Sequence, residues 1–167
     1  MSRTATFYVL SIKDLELLQR GAYAGSTIKK AVFGLIKKRL DSFAAHVESF
    51  AIEKIKYRWS GFAYAVLAVF SKEKLQVDWS QCEYNNLAEE LTKKYETGIY
   101  IFSTKDEELF KLRPNGFYYS IEELDEFAVE FQGTKPGNPN VMKDAVKVLE
   151  EALSKLTDEK VLLLLIR

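Results

Sequence analysis

The hydrophobic pattern is most decisive towards the end of the chain. Val161 to Ile166 is an apolar run with no polar position in it, and the alternation of a half-buried strand disappears in this way when both faces are covered. The run predicts a central strand. Ahead of it, Val141, Ala145, Val148, Leu149, Ala152 and Leu156 share one stripe at helical spacing, with Lys143, Asp144, Lys147, Glu151 and Lys155 elsewhere on the surface. A helix beginning at Asn140 would lay that stripe on a sheet. Thr157, Asp158 and Glu159 separate it from the strand.

Upstream, Phe7 to Leu10 predicts a first strand, and Ser11-Ile-Lys-Asp14 fits a capping box that opens a helix with Leu15, Leu18 and Ala22 on its apolar face. Gly21, Gly25 and Ser26 end it. A second helix is expected from Ser26 or Thr27, burying Ile28, Val32, Leu35, Ile36, Leu40 and Phe43 and turning Lys29, Lys30, Lys37, Lys38 and Arg39 to solvent. The pattern from Ser42 to Lys56 also reads as helical. Ala63 to Phe70 combines three alanines and a leucine with valines and aromatics, which favours a helix buried nearly all round over a strand.

Leu75 to Trp79 alternates as a short strand would, and Tyr84, Leu87, Ala88, Leu91 and Tyr95 mark another helix before a strand at Ile99 to Phe102. Ser103 or Thr104, followed by Asp106, Glu107 and Glu108, starts a short helix with acids at its positive end. Pro114-Asn-Gly116 predicts a turn and Phe117 to Tyr119 an extended segment. Ser120-Ile-Glu-Glu123 repeats the capping-box signature, Ile121, Leu124, Phe127, Ala128 and Phe131 form the core stripe behind it, and Gly133 stops the helix. Thr134 to Asn140 holds two prolines and a glycine and predicts a loop. The whole predicts a single α+β domain over residues 1–167, with a small mixed sheet covered by several helices and the C-terminal strand central.

Composition changes this picture little. The 167 residues suit one domain, and 47% apolar with 29% charged residues is the balance of a globular protein. Net charge is zero, but residues 1–60 carry 11 Lys or Arg against 5 Asp or Glu, leaving the remainder equally acidic. Attraction between the two halves of one fold accounts for this, and the lysines of the second helix read as a solvated face rather than a nucleic-acid surface. Cys82 is the only cysteine, which fits a reducing compartment. Met1 to Thr6 lacks the features of a secretory leader, and the longest internal apolar run is about half the ~20 residues of a membrane span. A cytoplasmic protein is expected.

The chemistry-bearing motifs are sparse. The sequence has no glycine-rich phosphate loop, no histidine pair at metal spacing and no nucleophile elbow, so it calls for no cofactor or metal and favours a non-enzymatic role. His46, the lone histidine, reads as structural, and Glu122, Glu123, Asp125, Glu126 and Glu130 as a solvated helix face without the burial that tunes catalytic carboxylates. The candidate binding residues are Tyr57, Arg58, Trp59 and Tyr64, with Trp79 and Tyr84 further on. Trp, Tyr and Arg are enriched at interfaces and in ligand pockets, and they also fill cores.

Lys56-Tyr-Arg-Trp59 before Ala65-Val-Leu67, and Leu149-Glu-Glu-Ala152 before Val161 to Ile166, resemble the YfbM-like family of small uncharacterised bacterial proteins. That resemblance implies an α+β fold and a bacterial setting and carries no activity; Tyr118 to Gly137 departs from the family pattern. Two functions fit these residues. One is a protein-binding module, the toxin-immunity type among them; the other is a small-molecule-binding protein or enzyme with a pocket near Trp59 and Tyr84.

Overall fold

Two helices separate each strand from the next, and this sets the direction of every pairing. The computed structural model describes residues 4–23, 33–112, 118–133 and 138–167. Its strands are β1 (Ala5–Ser11), β2 (Glu53–Tyr57), β3 (Gly98–Phe102) and β4 (Lys160–Ile166). Between them run α1 (Leu15–Tyr23) with α2 (Phe33–Glu48), α3 (Phe62–Leu75) with α4 (Asn85–Tyr95), and α5 (Ile121–Gln132) with α6 (Val141–Leu153). One helical crossover returns the chain parallel; two return it antiparallel. The sheet has the order β2-β1-β4-β3 and is antiparallel at each pairing, so the mixed sheet expected from the sequence is corrected.

The predicted central strand is central. Leu164 lies opposite Phe7 of β1 and Tyr100 of β3, and Leu163 opposite Tyr8 and Ile101. Side chains alternate across a sheet, and here both sets are covered. Leu162, Leu164 and Ile166 join Phe7, Val9, Tyr57 and Phe102 under α3, α5 and α6. Val161, Leu163 and Leu165 join Tyr8, Leu10, Ile99 and Ile101 under α1, α2 and α4. The result is one α+β domain of three layers, and no helix of the described residues is long and apolar enough to cross a membrane.

Several local expectations are corrected. The helical pattern from Ser42 to Lys56 stops at Glu48, and Glu53–Tyr57 forms an edge strand with Ile55 and Tyr57 turned to the core. Leu75 to Trp79 is no strand: α3 runs to Leu75 and closes on Gln76, and Trp79–Gln81 is a 3-10 turn. Both α3 and α4 end on left-handed residues that are not glycine, Gln76 (φ 59°) and Glu96 (φ 51°), so no stop signal stood in the sequence. Ser11 caps a 3-10 turn by accepting from the Lys13 amide at 3.3 Å, with helix α1 only following it. The Pro114-Asn-Gly116 turn, Phe117 and the start of the second helix with Lys29 and Lys30 lie outside the described residues.

The second capping box forms as expected. Ser120 Oγ accepts from the Glu123 amide at 3.1 Å while the Glu123 carboxylate accepts from the Ser120 amide at 2.7 Å, and α5 ends on Gly133 at φ 70°.

Candidate functional site

Four of the six candidate residues meet at the first turn of α6. Tyr57 ends β2 with its ring on the covered face and donates from its hydroxyl to the Val141 carbonyl at 2.6 Å. The next two residues leave the strand and turn to Asp144. Its Oδ2 accepts from Trp59 Nε1 at 2.7 Å and from Arg58 Nη2 and Nε at 2.5 and 3.1 Å, and the guanidinium sits 4.7 Å from the Trp59 ring centre. Tyr64, one turn into α3, donates to the Ala145 carbonyl at 3.1 Å and meets Tyr57 and Phe7 edge-on.

The Trp59 N–H and then Arg58 hold the Asp144 carboxyl below the usual carboxylate range. Burial pushes the Tyr57 and Tyr64 hydroxyls up. The indole and hydroxyl groups therefore spend their donors inside the fold, while the Arg58 guanidinium reaches Asp144 from the solvent side. This constellation fastens α6 to β2 and α3, and it contains no group poised to move a proton.

The other two candidates lie apart. Trp79 is buried edge-on to Tyr100 and Phe102, on the same face of the sheet, and its indole N–H has no hydrogen-bond partner among the described residues. Tyr84 packs against the core of the opposite face. The structure therefore does not bring Trp59 and Tyr84 to a common pocket.

A cleft of about 370 Å³ does open beside Trp79, between Gln76–Cys82 and Lys105–Leu109. Its two aspartates are already committed. Asp78 accepts from the Ser80 amide and hydroxyl at 2.9 and 2.7 Å and from Lys72 at 2.7 Å, which holds its carboxyl down at about 2, Lys72 first among the causes. Asp106 accepts from the Glu83 and Ser103 amides at 2.8 and 2.7 Å. Burial first, and Asp106 beside it, push the Cys82 thiol up to about 12, so it stays protonated and unreactive at neutral pH. The cleft is a junction of two capped turns.

The feature that sequence reading missed is the seam between α3 and α5. Phe70 and Tyr119 meet at 5.3 Å, Phe70 and Phe127 at 5.3 Å, Phe127 and Phe131 at 6.1 Å, and Phe131 closes on Phe62 at 6.2 Å. Phe131, expected in the core stripe of α5, is 47% exposed, and Tyr118 is 52% exposed. A groove of about 320 Å³ runs over part of this seam, with Tyr118, Tyr119, Phe70 and Phe127 as apolar lining and Glu123, Glu126, Glu130 and Lys74 around it, and Phe131 lies beyond it against Phe127. The aromatic spacing was legible in α5 alone. That it continues onto α3 was not, because the two helices are paired only by the tertiary fold.

His46 is structural as read: its Nε2 lies 3.2 Å from the Leu17 carbonyl of α1, and its ring is edge-on to Phe50. Among the described residues no group of His, Cys, Asp or Glu is arranged to hold a metal ion. No family model matches this chain, and neither a curated protein nor a solved structure matches it.

Proposed function

We propose that the chain is a non-enzymatic protein-binding module that presents the α3/α5 seam to its partner. The observation that carries this reading is the exposure of Phe131 and Tyr118 at one continuous aromatic surface. Large apolar side chains cost free energy in water, about 25 cal/mol for each Å² exposed, and clustered exposed aromatics mark interaction surfaces. An immunity protein, which blocks a toxin by occupying it, is one role of this form. The YfbM-like resemblance of Lys56-Tyr-Arg-Trp59 and Leu149-Glu-Glu-Ala152 adds a bacterial setting to the reading, and the lone Cys82 suits the cytoplasm.

The test is co-expression with the products of neighbouring genes, followed by size-exclusion chromatography. A stoichiometric complex that Phe131→Ala weakens about tenfold, the scale of one interface anchor, is the expected result. A metabolite that raises thermal stability, with no protein complex formed, would overturn it in favour of a small-molecule site.

A further inference from the structure

We infer that the α3/α5 groove is built for a basic segment of a partner protein, one that sets an arginine or lysine over the aromatic floor. This rests on the protein-binding reading above and names the chemistry of the occupant. Charge decides it. Between Ile121 and Gln132, α5 carries Glu122, Glu123, Asp125, Glu126 and Glu130 and no basic residue, and Glu123, Glu126 and Glu130 line the groove on the same side as Phe127.

Glu123 is committed to the cap of α5. Glu126 and Glu130 are exposed and, among the described residues, paired with no cation. Among the described residues the one cation lining the groove is Lys74, across on α3.

A guanidinium or ammonium placed there would gain twice. Its charge meets Glu126 and Glu130, and its face or head lies over the rings of Phe127 and Tyr118, which attract cations through their quadrupoles. An acidic segment or a nucleic-acid backbone would meet repulsion on both counts. The size of the surface points to a peptide rather than a small cation, since the aromatic and acidic positions continue from Glu123 to Phe131, about 12 Å at 1.5 Å per residue. Apolar residues flanking the basic one would cover Phe131 and Phe62.

The experiment uses the full chain and a random library of twelve-residue peptides displayed on phage. Selected peptides should be enriched in Arg or Lys next to an apolar residue. A fluorescent copy of the consensus should bind, lose about tenfold in affinity to Glu126→Lys/Glu130→Lys, weaken with salt, and shift the amide resonances of residues 123–131. Both glutamates are exposed, so the double variant keeps the fold, which its circular dichroism checks.

Enrichment of acidic or uncharged peptides that still require Phe131 would overturn the basic occupant and leave the protein-binding reading standing. Failure to select any peptide that Phe131→Ala releases would overturn both. Concentration-dependent dimers abolished by Phe131→Ala would overturn a foreign partner in favour of a second copy of the chain.

Discussion

Trp59 Nε1 donates to the carboxylate of Asp144 at 2.7 Å, joining the loop after β2 to the first turn of α6. Arg58 reaches the same oxygen through Nη2 and Nε, so Asp144→Ala strands three N–H donors, one of them on a half-buried indole. Hydrogen bonds to a charged group contribute about 1.5–3 kcal/mol, and with Arg58 largely in solvent the lower end applies. The denaturant midpoint should fall with no change in slope.

The same carboxylate sets a dependence on pH. Its folded pKa is depressed, so its stabilising contribution is complete above the unfolded value of about 3.9 and is lost as pH falls through the folded value. Asp144→Asn keeps an acceptor for Trp59 without the charge. The gap between parent and variant should be constant from neutrality down to about pH 4 and then close. Equal gaps at pH 7 and pH 2.5 would show that the charge contributes nothing.

Leu163 and Leu164 are both fully buried, on opposite faces of β4. Leu163→Ala and Leu164→Ala should each cost ~2 to 5 kcal/mol, the transfer and cavity terms together. An exposed neighbour would instead fall within about 0.5 kcal/mol of neutral. Chemical unfolding of the two variants decides it.

Tyr8 and Tyr64 are both fully buried, but among the described residues only Tyr64 has a partner for its hydroxyl. Tyr64→Phe should lose about 1 kcal/mol with its bond to Ala145. Tyr8→Phe should be neutral or stabilising, because it removes an unsatisfied buried group. Thermal melts of the pair, run side by side, read the difference in sign.

A side chain at Gly61 would place its Cβ 2.7 Å from the carbonyl of Thr4, a backbone contact that cannot rotate away. Gly61→Ala should therefore cost ~1–3 kcal/mol through displacement of β1. At Gly133 there is open space but a φ of 70°, so Gly133→Ala should cost ~1–2 kcal/mol from conformation alone. Crystal structures of the two variants would show movement of backbone in the first and none in the second.

What could be read from the sequence divides along the range of the interactions. The central strand, the α6 stripe and the Ser120 capping box depend on neighbours within a few residues, and each was legible. β2 was hidden because Ile55 and Tyr57 continue the apolar spacing of the helix before them, although Lys54 and Lys56 alternate with them as a half-covered edge strand requires. The ends of α3 and α4 were hidden because Gln76 and Glu96 adopt a backbone that glycine usually supplies. At the candidate site, the Tyr57-Arg-Trp59 cluster stood out. Asp144, which ties it to α6, did not, since nothing local links a carboxylate to a donor so far along the chain.

The sheet is assembled from the outside of the chain inwards: Ala5 of β1 lies opposite Ile166 of β4, and these two strands form its middle. Synthesis delivers them in the opposite sense. While the ribosome is still making α6, β1 has only the short edge strand β2 beside it, and the amides and carbonyls that await β4 face open solvent next to Phe7, Tyr8, Val9 and Leu10. Pairing across so much intervening chain is slow, and an apolar strand with a free edge invites association meanwhile. The middle of the sheet therefore closes only when β4 pairs with β1.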